Sequence, residues 1–172
     1  SSNRFTEAEL AELENLAGLI LADDAQKHLR SNKLLALSSD MKLEAHSVSS
    51  DTDKNYYYNF SFSSDGENKI SVNVRMNAQT GEILSVRRYG VAIDETKAAD
   101  ESVALKIASA LAPSHCKADG SGEYRLKSSE GNSFEFVRYI HDVPYYSDGI
   151  YLTINPADST IVNYSISRLN AD

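Results

Sequence analysis

One short segment occurs twice in the chain, 78 positions apart, and it constrains the fold more than any other feature. Residues 76–86 read MNAQTGEILSV and residues 154–164 read INPADSTIVNY. Each copy contains an apolar strand end, an Asn, a short polar turn and a returning strand, in the same order. Similarity at a fixed spacing is typical of duplicated structural units. The chain is therefore predicted to contain two copies of one hairpin-ended unit.

The composition indicates an ordinary globular protein with an acidic balance. Hydrophobic residues make up 41% of the 172 residues and charged residues 24%, which allows a sizeable core. Both halves are acidic, with 10 Lys and Arg against 13 Asp and Glu through Gly90, and 7 against 12 beyond it. Nucleic-acid-binding proteins usually carry a basic stripe, and the Arg87-Arg88 pair is too small to form one. We therefore expect no nucleic-acid partner.

The sequence gives little information about the compartment. No apolar run approaches the roughly 18 residues of a membrane-spanning helix, so we expect no membrane span. No signal peptide opens the sequence. If the protein is exported, we expect that its signal has been removed or lies outside this sequence. The single cysteine, Cys116, excludes an internal disulfide and is expected to be a buried thiol.

Residues that could bind a metal are few and poorly spaced. Segment 51–55, DTDKN, resembles the start of a calcium loop, but Tyr56 and Phe62 occupy the positions that need Gly and Glu. A solvated hairpin turn is the better interpretation. The four histidines, His28, His46, His115 and His141, have no spacing typical of a zinc site. We therefore expect no metal and no cofactor.

Catalytic residues are not indicated either. No GxSxG motif marks a nucleophilic serine, and no histidine is placed by a known pattern to act as its base. One alternative stays open, which is a chance cluster of His141, Asp142 and Ser147. Otherwise we expect the protein not to be an enzyme.

The N-terminal segment carries the signals of a helix. Thr6 and Glu9 form a capping box, and Phe5 and Leu10 are placed to form a hydrophobic staple. Apolar residues then recur at helical spacing, so we expect one helix that runs to about Arg30 and buries this stripe. The stripe consists of Leu10, Leu13, Ala17, Ile20 and Leu21.

Alternating polar and apolar residues follow in four stretches, a pattern typical of an antiparallel sheet with one buried face. A second helix is predicted to begin at Asp94 or Thr96 and to end at Pro113, and four more alternating stretches come after it. The predicted fold class is α+β, with two tandem units over residues 1–91 and 92–172, each a helix packed on an antiparallel sheet. No flexible linker separates the units, so we expect them to pack closely.

Tyrosine is frequent, with ten residues against five phenylalanines and no tryptophan. Tyr56, Tyr57 and Tyr58 are consecutive in a predicted strand, so Tyr57 is expected on the face opposite the other two. Exposed tyrosines suit contact with a protein or peptide. The candidates for such contact include Tyr57, Tyr145 and Tyr146. The alternative is cross-strand aromatic packing that stiffens the sheet.

Residues 136–144, FVRYIHDVP, followed by SDGI and a strand that ends at Asn155, resemble the repeat of YcdB/YcdC-type bacterial proteins, which are relatives of PepSY domains. Residues 77–84, NAQTGEIL, are similar to the PepSY hairpin. The second copy departs from the pattern, with Asp158-Ser159 in place of Thr-Gly. Because that Gly serves a position with positive φ, Ser159 is expected to form a different local turn. The residues expected to shape turns are Asn77, Thr80, Gly81, Pro144, Gly149 and Asn155.

This resemblance implies an exported or cell-surface protein of Gram-positive type, with a helix on a sheet and no active site. PepSY domains also resemble the propeptides of secreted metallopeptidases, which implies a role in restraining peptidases. Arg138 and Tyr139, in the Arg-aromatic strand of the resemblance, join the tyrosines as candidate partner-binding residues.

The leading hypothesis is a non-catalytic extracytoplasmic module that binds a protein or peptide partner. Binding would use a sheet edge or the Tyr145-Tyr146 loop. The alternative is a structural spacer or assembly domain of a larger cell-surface protein. A third hypothesis is a small-ligand carrier or hydrolase, which requires a polar pocket that holds His46 or His141 beside a carboxylate.

Overall fold

The computed structural model of the protein describes residues 5–168, which form three α-helices, one 3₁₀ turn and an eight-stranded antiparallel sheet. The helices are α1 (Glu7–Ala17), α2 (Ala22–Ser31) and α3 (Glu101–Leu111), and the 3₁₀ turn is Lys33–Leu35. The strands are β1 (Lys42–Ser50), β2 (Tyr56–Ser63), β3 (Ser71–Asn77), β4 (Ile83–Tyr89), β5 (Tyr124–Glu130), β6 (Ser133–Ile140), β7 (Val143–Ile154) and β8 (Ile161–Ser167). None of the helices in this part of the chain has the length and apolar character needed to cross a membrane.

All the strands belong to one continuous sheet, in the order β1-β2-β3-β4-β8-β7-β6-β5. Strands β1 to β4 follow one another as hairpins, and so do β5 to β8. The two series meet where β4 pairs with β8, with Val86 opposite Tyr164. The α+β class is therefore confirmed. The division into units 1–91 and 92–172 stays a prediction, and residues 1–4 and 169–172 at its ends lie outside the described residues.

The hydrophobic core covers one face of this sheet. Strand side chains alternate between faces, and in β2 the residues Tyr56, Tyr58, Phe60 and Phe62 are buried, whereas Tyr57 is half-buried. The same core includes residues of two helices. They are Ala25 and Leu29 of α2 and Ala104, Ile107, Ala108 and Leu111 of α3. The other face of the sheet is open.

The charged side chain of Arg88 in β4 is buried with the core. Its Nε donates to the carbonyl oxygen of Ile161 at 3.0 Å, and its Nη2 donates to the carbonyl oxygen of Leu35. Burial lowers the pKa of this guanidinium. Arg88 thus links the 3₁₀ turn after α2 to the first residue of β8.

The N-terminal helix differs from the prediction. The capping box is present, since Thr6 Oγ1 accepts a hydrogen bond from the Glu9 N–H at 3.1 Å. A single helix to Arg30 is wrong, because α1 ends before Gly18, and the Ile20 N–H donates to the carbonyl oxygen of Ala78 at 2.8 Å. The predicted buried stripe is also wrong, because Ile20 is half-buried and the other four members, Ala17 and three leucines, are exposed. The exposed fractions are 49% for Leu10, 46% for Leu13 and 71% for Leu21.

The second predicted helix begins later than expected, with Asp100 as its N-cap. Asp94 instead forms a local turn, in which its Oδ1 accepts from the Thr96 N–H at 3.0 Å and from the Thr96 hydroxyl. The Ala99 N–H donates to Asn132 Oδ1 at 2.9 Å, which holds this segment away from a helical path. The expected end of this helix before Pro113 is confirmed, since α3 ends at Leu111.

The first copy of the repeated segment forms the turn between β3 and β4. Asn77 Oδ1 accepts from the Gln79 N–H at 2.8 Å, and the Gly81 N–H donates to the Asn77 carbonyl oxygen at 2.9 Å. Thr80 Oγ1 accepts from the Glu82 N–H at 3.2 Å. Gly81 has a φ of 80°, so a glycine suits this position.

The second copy forms the same turn between β7 and β8. Asn155 Oδ1 accepts from the Ala157 N–H at 3.0 Å, and the Ser159 N–H donates to the Asn155 carbonyl oxygen at 2.8 Å. Asp158 Oδ1 accepts from the Thr160 N–H at 3.0 Å. Ser159 has a φ of 62°. The expectation of a different turn at Ser159 is therefore wrong, because these hydrogen bonds hold a non-glycine residue in the left-handed region.

The turn between β6 and β7 is formed by His141 and Asp142, which have φ values of 49° and 62°. Pro144 and Gly149, expected to shape turns, lie within β7 instead. Pro144 pairs with Tyr139 and is the second residue after the two-residue turn. A Cβ at Gly149 would lie 2.7 Å from the carbonyl oxygen of Phe136, so a side chain does not fit there.

Candidate functional site

A cleft of about 610 Å³ opens between the β3–β4 turn, the C-terminal end of α3 and the end of β8. Its walls include Gly81, Glu82, Pro113, His115 and Arg168. Pro113 prevents α3 from continuing, and a turn closed by the His115 N–H and the Ala112 carbonyl oxygen at 3.0 Å follows. This turn carries His115 to the cleft. The proline and the two turns thus place titratable side chains from separate segments beside one another.

Arg168 lies at this cleft between a carboxylate and an imidazole. Its Nη2 donates to Glu82 Oε2 at 2.7 Å, and its Nη1 lies 2.6 Å from His115 Nε2. Because a guanidinium only donates, Nε2 accepts in this arrangement and the imidazole proton resides on Nδ1. Glu123 Oε2 lies 3.8 Å from Nδ1, beyond hydrogen-bond distance. The imidazole is therefore placed between two acidic side chains.

Arg138 continues this group of charges on the other side of Glu123. Its Nε donates to Glu123 Oε1, and its Nη1 donates to Asp148 Oδ2 at 2.9 Å. Asp148 has no exposed surface. The hydrogen bonds that Arg138 donates to Asp148 and then to Glu123 raise its pKa further above the ordinary value. Arg138, predicted to contact a partner, thus makes ion pairs within the chain, and its partner role stays a prediction.

Three protonated groups lie buried behind the charges. Burial raises the pKa of the Cys116 thiol to about 11, and burial followed by the nearby Asp148 raises the pKa of Tyr124 to about 12. Burial, with Glu82 as the next cause, raises the pKa of Tyr164 as well. Neither tyrosine hydroxyl has a hydrogen-bond partner within residues 5–168. All three groups therefore remain neutral at physiological pH.

Cys116 and His115 are not arranged as an activated nucleophile and its base. A reactive cysteine needs a lowered pKa, whereas the pKa of Cys116 is raised. The acids nearest His115 are themselves bound to arginines, Glu82 to Arg168 and Glu123 to Arg138. No group of three or more metal-ligating side chains occurs among the described residues.

The alternative site at His141, Asp142 and Ser147 is not assembled in the structure. Asp142 Oδ1 accepts from Arg125 Nη2 at 3.1 Å, and His141 and Asp142 serve as the two turn residues. The predicted hairpin turn at residues 51–55 is confirmed. There Asp51 Oδ1 accepts from the backbone N–H groups of Asp53 and Asn55 at 3.0 and 2.9 Å.

Tyr57 lies on the open face of the sheet, opposite the buried Tyr56 and Tyr58, as the alternation predicted. Its hydroxyl donates to Asp51 Oδ2 at 2.7 Å, and the Arg75 guanidinium lies 4.2 Å from its ring centroid. The ring is therefore held in place by the hydrogen bond of its hydroxyl and by the guanidinium over its face. Its contact with a partner stays a prediction.

Two of the other three predicted contact tyrosines, Tyr139 and Tyr146, lie against side chains of the edge strand β5. The Arg125 guanidinium is 4.6 Å from the centroid of Tyr139, and Lys127 Nζ is 4.9 Å from that of Tyr146. Tyr145 pairs with Arg138 in the sheet. The next registered pair is Gly149 with Val137, so residues 146–148 form a bulge in β7. Tyr146, in this bulge, is 68% exposed.

The charged side chains at the cleft were missed by the sequence reasoning. Glu82, His115 and Arg168 line the cleft, and Glu123 and Asp148 belong to the adjoining group of charges. These residues come from five separate segments, so no spacing in the sequence relates them. The one sequence signal for this group was Asp148, because it belongs to the SDGI motif (residues 147–150) that resembles the YcdB/YcdC repeat.

The structure defines the class of the protein as α+β, with helices on one face of an open antiparallel sheet. The chain belongs to the family described as the YcdB, YcdC repeated domain, which it matches over residues 24–168. The predicted relationship to YcdB/YcdC-type proteins is confirmed by this match.

The C-terminal domain of YpeB from Bacillus megaterium has a similar structure, with a TM-score of 0.57 and 16% sequence identity over 86% of this chain. This chain corresponds to 63% of the length of that structure. At such low identity the similarity shows the fold alone. No curated protein is detectably similar to the chain in sequence.

Proposed function

We propose that the chain is a non-catalytic, PepSY-like protein-binding module composed of two tandem units, residues 1–91 and 92–172. Family membership supports the PepSY-like class. The repeated turns at Asn77 and Asn155, which share three hydrogen bonds in equivalent positions, support the two units.

The observation that carries the binding proposal is the position of Tyr139 and Tyr146 beside β5. In the described sheet this strand has a neighbour on one side only. The N–H and C=O groups along its free edge can therefore pair with an extended peptide. Arg125 and Lys127 of β5 lie against the two rings, so aromatic and cationic side chains adjoin the same edge. A partner strand added there would meet both.

Arg138 has a supporting role in this proposal. Its ion pair with the fully buried Asp148 fixes the last residue of the bulge at residues 146–148. Tyr146, the first residue of the bulge, therefore projects into solvent from a backbone that is held in place. A rigid aromatic side chain loses little conformational entropy when it binds a partner.

The absence of catalysis is supported by the raised pKa values of Cys116 and Tyr124 and by the mutual pairing of the acids and arginines at the cleft. We further propose that the partner is a secreted or cell-envelope peptidase that the module restrains, and that the protein functions outside the cytoplasm of a Gram-positive bacterium. Membership of the YcdB, YcdC repeated domain family supports this context.

Peptidase assays with the purified chain test this function. The chain is added to a panel of secreted peptidases from the organism that encodes it, and hydrolysis of a casein substrate is followed. We expect one or more peptidases to be slowed and the Tyr145→Ala/Tyr146→Ala variant to relieve the inhibition at least tenfold. The control is Tyr89→Ala, an exposed tyrosine of β4. Unchanged hydrolysis across the panel, or equal effects of both variants, would contradict the proposal.

A further inference from the structure

A second surface of interest is a groove of about 490 Å³ on the open face of the sheet, lined by residues of β2, β3, β4 and β8. Its walls include Tyr57, Arg75, Arg87 and Arg168, and none of the lining residues that the structure describes is Asp or Glu. The whole chain carries 25 acidic against 17 basic residues. Arg168 is paired with Glu82, so Arg75 and Arg87 are the local exception to the acidic charge of the protein.

Two of these arginines have no acidic partner in the described part of the chain. Arg75 contacts the ring of Tyr57, and within residues 5–168 it forms no ion pair, nor does Arg87. Arg75 pairs with Ser85 in the sheet and Arg87 pairs with Asn73, which makes the two arginines diagonal neighbours on one face. Such neighbours lie about 7–8 Å apart. Their mutual repulsion is reduced when an anion lies between them.

The repeated hairpin shows that the fold does not require these arginines. The residues 78 positions later are Thr153 for Arg75 and Ser165 for Arg87. Thr153 pairs with Asn163 and Tyr151 pairs with Ser165, in the register of the first hairpin. The same positions of the same turn-linked strands are thus neutral in the second hairpin. The structure of the hairpin therefore does not explain the positive charge at these two positions of the groove.

We infer that this groove binds an acidic, extended peptide segment of a partner protein. The Arg75 guanidinium is held against Tyr57, which leaves its N–H groups able to meet a carboxylate in the bidentate geometry that guanidinium favours. Asn55, Asn77 and Ser85 line the groove with neutral donors and acceptors that suit peptide amides. The volume lies within the range of about 300–1,000 Å³ that is usual for ligand sites. This site is separate from the proposed β5 edge.

Isothermal titration calorimetry with two synthetic octapeptides tests the inference. One peptide alternates Glu and Ser, and the other has Gln in place of each Glu. We expect the Glu peptide to bind and the Gln peptide not to bind. Raising NaCl from 50 to 300 mM should weaken binding several-fold, because the contact is electrostatic. Amide chemical shifts that change on titration should fall on β3, β4 and β8.

The matched variant is Arg75→Thr/Arg87→Ser, which places the residues of the second hairpin in the first and should leave the melting temperature within a few degrees of the wild type. We expect it to lose at least tenfold in affinity for the Glu peptide, whereas Tyr145→Ala/Tyr146→Ala should retain wild-type affinity. Equal binding by the arginine variant would overturn the inference. So would binding of inorganic polyphosphate without binding of the Glu peptide, since it would indicate a phosphate polymer instead.

Discussion

Val86 lies directly opposite Tyr164 where β4 pairs with β8, and Tyr164 is the residue that stands 78 positions after Val86 in the repeated segment. The flanking pairs are Ser85 with Ser165 and Arg87 with Asn163. Each member of the pair at the seam is thus the counterpart of the other. An antiparallel contact between equivalent residues has the symmetry of an isologous dimer interface. Here that symmetry occurs within a single chain.

The buried hydroxyl of Tyr164 leads to a first prediction. It has no hydrogen-bond partner in the described part of the chain, and an unsatisfied buried polar group costs about 1–3 kcal/mol. Tyr164→Phe should therefore leave the free energy of unfolding unchanged or raise it by about 1 kcal/mol. Urea denaturation measures the effect. The matched control is Tyr58→Phe, which should lose about 1 kcal/mol because its hydroxyl donates to the Ile20 carbonyl oxygen at 2.6 Å. Equal losses in both variants would contradict the prediction.

A second prediction concerns the two repeated turns. Ser159 has a φ of 62° where its counterpart Gly81 has a φ of 80°, and the left-handed region costs a non-glycine residue about 1–2 kcal/mol. Ser159→Gly should raise stability by up to about 1 kcal/mol, since part of the gain is offset by the larger backbone entropy of the unfolded chain. The reverse change, Gly81→Ser, should lower stability. Thermal unfolding of the two variants should show melting temperatures shifted in opposite directions, and shifts of one sign would disprove the argument.

The close backbone contact at Gly149 gives a third prediction. A Cβ there would lie 2.7 Å from the Phe136 carbonyl oxygen, which belongs to the neighbouring strand and cannot move freely. Gly149→Ala should destabilise the fold by about 2 kcal/mol or more, within the range for strained or overpacked substitutions. Gly18→Ala is the control, because its nearest neighbour would be 3.5 Å away and its φ is −79°. Chemical denaturation that shows equal losses would refute the steric explanation.

The pH dependence of Asp51 gives a fourth prediction. Hydrogen bonds from Asn55, and then from Tyr57, lower the pKa of this carboxyl group from 3.8 to about 2. A carboxyl whose pKa is lowered in the folded state stabilises the fold above its unfolded value, and this contribution is lost as pH falls from about 4 through about 2. Carbon-detected NMR titration should give a midpoint near 2. In Asn55→Ala the midpoint should move toward 3.8, and an unmoved midpoint would show that Asn55 is not the cause.

The sequence predicted best those features that depend on neighbouring residues. Alternation placed Tyr57 opposite Tyr56 and Tyr58, because successive strand residues point to opposite faces. The capping box at Thr6 was predicted for the same reason, since its hydrogen bond spans three residues. The turn at Asn77 follows from side-chain hydrogen bonds to the local backbone.

Features that depend on tertiary contacts were not predictable in this way. Helix α1 ends where Ile20 binds the carbonyl oxygen of Ala78, a contact across 58 positions of sequence that no local pattern contains. The same holds for the ion pair of Arg168 with Glu82. Pairing of β4 with β8 likewise joins distant strands. These contacts are set by the packing of the sheet, which the periodicity of single strands does not specify.

The buried position of Arg88 has a consequence for how the protein unfolds. Its hydrogen bonds to Leu35 and Ile161 connect the early part of the chain with the late part, beside the seam of β4 and β8. Residues 1–91 expressed alone would present β4 as an unprotected edge and leave the Arg88 Nε without its acceptor. We therefore expect the two halves to unfold in a single cooperative transition, because the hydrogen bond of Arg88 to Ile161 and the pairing of β4 with β8 require both of them.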